Sequence, residues 1–339
     1  MIFVDPRIRF NYATYYIKGI EEVTGQQVQF ALDPFLDISC KNLTEYFSGV
    51  PIVVDGKRIF IDYCDYDYIL NDRYNWCDVY AKVNCTDQQL QERQKLMAIG
   101  PGFGIQLYSP IKTLWIGWKN YSYCKKHFGI PFRRYLGDYT YSFVRRRKIE
   151  QYEKQDEKID TNYVFHASIL WNKRLQDRTT NAQRAAFLKV CKEAGMQVDG
   201  GLVYLEDSGG EMKNYAKYKS MYQGFLISKR VGPDDYIKKT KRSLCVFNAP
   251  SVGLCHGWKL AEYLCMGKAI ISVPLTRALP APLDCLLIVQ NPQEIEHAVN
   301  EIHQTEGLRK EMEQSARLYY EKYLSPKAVI ETMIKATNL

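Results

Sequence analysis

Residues 243–274 read SLCVFNAPSVGLCHGWKLAEYLCMGKAIISVP, and their types suit a phosphorylated ligand. Gly253 and Gly257 permit close backbone approach, and a helix starting near Gly257 presents free N–H groups and a positive dipole end. The dipole contribution is modest, about 0.3–1 kcal/mol when exposed. Lys259 in the first turn adds a cation. Glu262, one turn on, can accept two hydrogen bonds from a sugar diol, and hydrogen bonds to charged groups contribute roughly 1.5–3 kcal/mol net. His256 offers a polar ring and Trp258 a stacking face. A plainer reading has equal standing: Lys259 and Glu262, three apart on a helix, form a surface pair worth about 0.2–0.5 kcal/mol, and Trp258 belongs to the core.

Other stretches carry weaker chemistry. GPGFG (100–104) lacks the Lys-Ser/Thr of a phosphate-binding P-loop. It reads as a tight turn, with Gly102 and Gly104 lining a ligand cleft or simply shaping the chain. Asp62, Asp65 and Asp67 lie close together in IDYCDYDY. His166, beside Phe165, reads as a satisfied core histidine. Residues 119–148 hold nine Lys/Arg and a single acid, Asp138, interleaved with Tyr and Phe. That stretch suits an anionic membrane surface, an anionic acceptor or nucleic acid, or it is a solvated face. The ten cysteines include no C-x-x-C pair and no zinc spacing, so no metal site is expected from them, and no cofactor is called for elsewhere.

These residues need elements to hold them. Ile2–Asp5 reads as a buried strand, followed by a helix through Tyr12, Tyr16, Ile20 and Val23 to Gly25, then a strand over Val28–Leu32; this is a parallel α/β unit. PIVVDGKRIFIDY holds two β-rich runs around Asp-Gly, a hairpin signal. Strands follow at 77–84 and 95–105. IEQYEKQDEKIDT is polar, without apolar periodicity, and marks a linker near 150–160. A second α/β run begins with a strand at Tyr163–Trp171, a helix at Asn181–Ala194 and a strand at 201–205. A short helix at Pro233–Lys241, a strand at 243–248, a helix at Gly257–Met266 stopped by Gly267 and a strand at 268–273 continue it. Leu286–Val289 and helices at 292–303 and 305–322 complete it.

A chain of 339 residues with 46% hydrophobic content builds about two domains and is not disordered as a whole. The net charge of +8 is basic without being extreme. The cysteines in apolar runs, the absence of an apolar leader after Met1 and the absence of a run of ~18–20 apolar residues predict a cytoplasmic protein, soluble or held at a surface.

The segment SVGLCHGWKLAEYLCMGKAIISVPL resembles the donor-binding segment of glycosyltransferases with the GT-B fold, where a helix of the form K-x-x-E-x-x-x-x-G-K-x-I/V-I lies in the C-terminal domain. The clear resemblance covers about 225–330. It implies an α/β fold of two Rossmann-like domains facing a cleft. The N-terminal acceptor domain would span 1–155 and the C-terminal donor domain 156–322, with a last helix (323–339) crossing back to the N-terminal domain. It implies that Glu262 binds the ribose of a nucleotide-diphosphate sugar, and that Gly253, His256, Gly257, Trp258 and Lys259 face the sugar and diphosphate. Lys173 and Arg174, or else Lys229 and Arg230, would contact the diphosphate. The acceptor's base would come from the N-terminal domain, with Asp65 and His127 as candidates. Retaining members often carry an acid eight positions before the ribose-binding glutamate; here that position is Leu254. The implied activity is metal-independent transfer of a sugar to a glycan or lipid-linked acceptor, as in polysaccharide or lipopolysaccharide biosynthesis, with peripheral contact of 119–148 on the inner membrane face. A polyanion- or nucleic-acid-binding protein and an inactive GT-B relative are the rival readings.

Overall fold

The computed structural model describes residues 1–38, 49–128, 131–171, 180–204 and 216–337, without the side chains of 126–128, 216–218 and 252. The chain forms two compact units. One comprises Met1–Glu150, Arg277–Pro282 and Tyr320–Leu339; the other comprises Gln151–Thr276 and Leu283–Tyr319.

The first unit opens with β1 (Ile2–Val4), α1 (Phe10–Thr24) and β2 (Gln29–Phe30). It continues through β3 (Gly49–Val54), β4 (Lys57–Asp62), α2 (Asn71–Trp76), β5 (Val79–Lys82), α3 (Asp87–Glu92) and β6 (Leu96–Ala98). The strand order is β2-β1-β3-β4-β5-β6. The expected parallel pair β1–β2 is present, and the expected hairpin joins β3 to β4. Its turn residues Asp55 and Gly56 have φ of 49° and 83°, the left-handed pair that a tight two-residue hairpin requires. Because that hairpin reverses the chain, β3 also runs antiparallel to β1. The sheet is therefore mixed: β1–β2, β4–β5 and β5–β6 pair in parallel, and only the two pairings of β3 are antiparallel. Phe35, Phe60, Trp76, Tyr80 and Leu96 pack one core of this unit.

Two helices follow, α4 (Pro110–Phe128) and α5 (Phe132–Val144). They contain most of the basic stretch that the sequence leaves without assigned structure. α6 (Ile149–Glu153) occupies the polar segment expected to be a linker.

The last helix of the first unit, α13 (Pro326–Ala336; the intervening α7–α12 belong to the second unit), packs on α1. Gly19 makes this approach possible, since a Cβ there would sit 2.1 Å from the carbonyl oxygen of Pro326. Tyr15 Oη donates to the carbonyl of Leu324 at 2.6 Å and fixes the same contact from the side. Gly19→Leu is expected to force the helices apart and to lose about 1–3 kcal/mol or more, read as a lower urea midpoint. Gly307→Ala, where among the described residues nothing beyond its chain neighbours and own helix backbone lies within 4 Å of the new Cβ, should leave the midpoint unchanged or raise it.

The second unit contains β7 (Tyr163–Ile169), α7 (Thr180–Glu193), β8 (Gln197–Val203), α8 (Ala216–Met221), β9 (Leu226–Ile227), α9 (Pro233–Arg242) and β10 (Val246–Asn248). Then come α10 (Trp258–Cys265), β11 (Ile270–Ser272), β12 (Leu286–Ile288), α11 (Pro292–Gln304) and α12 (Glu306–Tyr319). Its strands form two parallel triplets, β7-β8-β9 and β10-β11-β12. The triplets meet edge to edge: Leu244 N–H donates to the carbonyl of Tyr163 at 2.8 Å, and Phe165 N–H donates to Ser243 Oγ at 2.8 Å. Across the unit the order is β9-β8-β7-β10-β11-β12. Counted from β7 this is 3-2-1-4-5-6, the order of doubly wound dinucleotide folds. The α/β class expected from the sequence is thus the class of the fold. Phe187, Phe247, Ile271, Val299 and Met312 lie in the core that the helices close.

Gly267 ends α10 with φ of 59°, as its αL stop requires. Lys268, 2% exposed, points inward and donates to the carbonyls of Lys241 and Ser243 at 2.9 and 2.6 Å. Burial pushes its ammonium down to about 8. This lysine ties α9 to the start of β10.

Candidate functional site

In a 3-2-1-4-5-6 sheet the strand order reverses between the first and fourth strands, and the crevice beyond their carboxyl ends is the natural ligand site. Here those strands are β7 and β10. The chain leaving β7 is pinned by Asn181, which is fully buried. Its amide accepts from Trp171 N–H at 3.1 Å and donates to Trp171 O at 2.9 Å. The chain leaving β10 runs through a short loop into α10. Ser251 N–H donates to Cys255 O at 3.0 Å and closes that loop. Gly253 and Leu254 both sit in the left-handed region, with φ of 62° and 60°. For leucine this is a strained backbone, of order 1–3 kcal/mol; Thr276 Oγ1 holds it by donating to Leu254 O at 2.9 Å. His256 is buried at the end of the loop. Gly257 is the N-cap of α10 and offers no side chain to its first-turn N–H groups.

Lys259 lies in that first turn, half-buried. Its ammonium reaches across to the other strand of the reversal and donates to the carbonyl of Ala167 in β7. It also sits 5.0 Å from the ring centroid of Tyr236. Burial pushes Lys259 down to about 8; Arg184 adds to the shift and Glu262 opposes it. Arg184, on α7, is 7% exposed. It lies 4.6 Å from the ring centroid of Trp171 and donates to Ile169 O at 3.3 Å. Burial lowers its guanidinium to about 10. Both cations are desolvated and Lys259 feels the charge of Arg184, so a bound anion beside them would be favoured.

Glu262 supplies the carboxylate of the group. It is 6% exposed and accepts a hydrogen bond from Tyr236 Oη at 2.7 Å. Burial, with Glu262 adding, raises the Tyr236 phenol well above its usual value. The exposed Lys259–Glu262 surface pair is therefore not what forms. Trp258 is half-buried at the start of α10.

His166 is 1% exposed, as its place in a strand predicts, and packs against Phe187 and Phe247. Only one nitrogen is bonded: Nε2 lies 3.0 Å from Ser168 Oγ, while Nδ1 has no hydrogen-bond partner among the described residues. The expected satisfied core histidine is half satisfied. Burial, reinforced by Lys259 and Arg184, holds the ring well below its usual value and so uncharged at neutral pH.

The remaining candidates lie away from this crevice or outside the described residues. Arg230 is exposed and follows β9, the edge strand, with β8 and β7 between it and β10. Lys173 and Arg174 lie outside the described residues, as does the side chain of His127. Asp65 is exposed just beyond β4 in the first unit. Its neighbour Asp62 is fully buried and accepts from Tyr80 Oη at 2.5 Å and Lys82 Nζ at 2.8 Å. Gly102 and Gly104 pack against α1: a Cβ on Gly102 would meet Tyr15 at 2.9 Å, and one on Gly104 would meet Asn11 O at 2.7 Å. The nine described cysteines are free thiols, eight of them buried.

Sequence reasoning missed Arg184 and Tyr236. The available signal for Arg184 was its place beside Ala185 on the helix face that also carries Leu188 and Cys191.

No family model matches the sequence, and no curated protein matches it. By structure the chain is similar to a glycosyltransferase from Rickettsia africae, with 12% identity and a TM-score of 0.43 over 80% of this chain and 68% of that one. It is also similar to Anabaena HepE in complex with UDP and glucose, with 13% identity and a TM-score of 0.44 over 79% and 65%. A third similar structure is WaaG, a glycosyltransferase involved in lipopolysaccharide biosynthesis, with 12% identity and a TM-score of 0.39 over 77% and 63%. The chain thus spans about two thirds of the length of these proteins.

Proposed function

We propose that the protein is a glycosyltransferase that holds a nucleotide-diphosphate sugar in its second unit and passes the sugar to a glycan or lipid-linked acceptor. The observation that carries this reading is the gathering of Lys259, Arg184 and Glu262 where the strand order reverses between β7 and β10. The two cations suit the diphosphate and the charge that develops on it as the glycosidic bond breaks. Glu262 suits the ribose diol. The cations are the chain's own, so transfer is expected without added metal. The likeness to HepE, whose structure holds UDP and glucose, agrees with this donor class. The test is incubation with a panel of nucleotide sugars and glycan or lipid-linked acceptors, with chelator present. Release of nucleoside diphosphate that depends on acceptor supports the reading. Donor binding without turnover over a broad panel favours an inactive relative. Salt-steep binding to arbitrary duplex nucleic acid, with no nucleotide bound, favours the polyanion reading.

The site also fixes a pH dependence. Lys259 is charged below about 8, so affinity for a nucleoside diphosphate should fall as pH rises from 7 to 9. Binding at pH 8 should take up a proton, seen calorimetrically as an enthalpy that varies with the buffer's heat of ionisation. Lys259→Met should flatten both dependences.

A specific observation favours peripheral contact with an anionic membrane. On α4, Ile111, Trp115 and Trp118 are 83%, 57% and 68% exposed at helical spacing, with Lys112 and Lys119 beside them. That is the composition of an interfacial helix, and it begins before the basic stretch singled out in the sequence. No helix among the described residues is long and apolar enough to cross a membrane. Trp115→Ala/Trp118→Ala should abolish sedimentation with anionic vesicles; unchanged sedimentation would remove this contact.

A further inference from the structure

The first unit contains a cavity of about 550 Å³ between the start of α1 and the body of α5. This lies within the roughly 300–1,000 Å³ of small-molecule sites. Four arginines line it, Arg9, Arg133, Arg134 and Arg146, against the single carboxylate of Asp138. That carboxylate is already engaged: it accepts from Asn11 N–H at 3.0 Å and faces Arg9 at 3.4 Å. Arg9 lies over the ring of Tyr12, 4.2 Å from its centroid, and Arg146 Nε donates to Asn11 Oδ1 at 3.3 Å. Two guanidiniums are thus held by the protein before any ligand arrives. Arg133 and Arg134 are exposed on the first turn of α5, and no side-chain bond to either is found among the described residues.

A second observation is independent of charge. Gly137 lies in the interior of α5 on the cavity wall. Glycine there is a poorer helix former than alanine because it loses more backbone freedom on folding. Among the described residues, nothing beyond its chain neighbours and its own helix backbone lies within 4 Å of where its Cβ would be. Neither packing nor a left-handed backbone calls for glycine at this position; it leaves space in the cavity.

We propose that this cavity binds a phosphoryl-bearing small ligand, a phosphorylated sugar or the phosphorylated headgroup of a lipid-linked one. Guanidinium forks match phosphoryl oxygens two at a time, and Arg133 and Arg134 stand exposed on the lining to supply them. Tyr141, 49% exposed on the lining, gives a ring for a sugar. Under the transfer reading this ligand is the acceptor, and only that role rests on the reading.

The test uses the full chain with two variants, Gly137→Leu and Arg133→Ala/Arg134→Ala. The probes are a hexose 1-phosphate, inorganic phosphate, and vesicles of phosphatidylcholine containing one quarter phosphatidylglycerol. Gly137→Leu fills the cavity while improving the helix, so its melting temperature should hold or rise. The expected result is hexose phosphate binding, competed by phosphate and weakened at least tenfold in both variants. Binding to anionic vesicles alone, lost in Gly137→Leu, supports the site and assigns it to a lipid headgroup. Failure to bind either phosphate, with any vesicle binding unchanged in Gly137→Leu, overturns the proposal. So does binding weakened by the arginine variant but unchanged by Gly137→Leu, which marks a solvated basic face. Nucleoside diphosphate binding in Gly137→Leu should equal that of the wild type, so loss of the donor reading and loss of this one are read separately.

Discussion

Lys82→Met is expected to destabilise the first unit by about 3–5 kcal/mol, the range found when one partner of a buried ion pair is removed. Asp62 and Lys82 face each other across β4 and β5, being Cα partners in the parallel register. Both side chains are 0% exposed and the charges stand 2.8 Å apart. Asp62 also accepts from Tyr80 Oη and from Cys64 N–H, so its charge is distributed over three donors. Removing the lysine leaves a carboxylate in the interior with no cation. Removing both charges, in Asp62→Asn/Lys82→Met, should recover much of the loss. Urea unfolding of the single and double variants checks this; a single variant within 1 kcal/mol of the wild type would mean that water reaches the pair.

Glu262→Gln is expected to weaken nucleoside diphosphate binding about 10- to 100-fold, corresponding to roughly 1.5–3 kcal/mol for hydrogen bonds to a charged group. Glutamine keeps an oxygen for Tyr236 Oη, so stability should change little. Pyrophosphate, which has no ribose, should bind the variant as it binds the wild type. Lys259→Met should weaken both ligands. This pattern separates a ribose contact from a diphosphate contact, whereas a structural role for Glu262 would weaken both ligands or neither. Calorimetric titration of the two ligands into the two variants reads it directly.

The parts of this molecule that were legible in its sequence are those set by local physics. Asp55-Gly56 announces the hairpin because two consecutive left-handed residues admit few residue types. Gly267 announces the end of α10 for a similar reason. Lys259 and Glu262 stand out because a glycine-containing loop leads from a buried strand into their helix, although from spacing alone a surface pair reads equally well. What could not be read depends on pairing between distant elements. Asp62 looks like one of three acids lying close together until the register sets it opposite Lys82. Arg184 looks like a solvated charge on a helix until β7 and Trp171 cover it. Residues 119–148 read as a basic patch; the fold brings their Arg133, Arg134 and Arg146 to Arg9, more than 100 positions away, around one cavity. The mixed sheet of the first unit follows from the hairpin, yet nothing local says that β3 pairs with β1.

The measurement that bears most directly on the proposed activity is isothermal titration of uridine, guanosine, adenosine and thymidine diphosphates into the wild-type chain and into Lys259→Met/Glu262→Gln. The expected result is selective binding of one diphosphate by the wild type, stronger at pH 7 than at pH 9, and its loss in the double variant. Binding of none, or binding that the double variant leaves unchanged, would contradict a donor site at the reversal between β7 and β10.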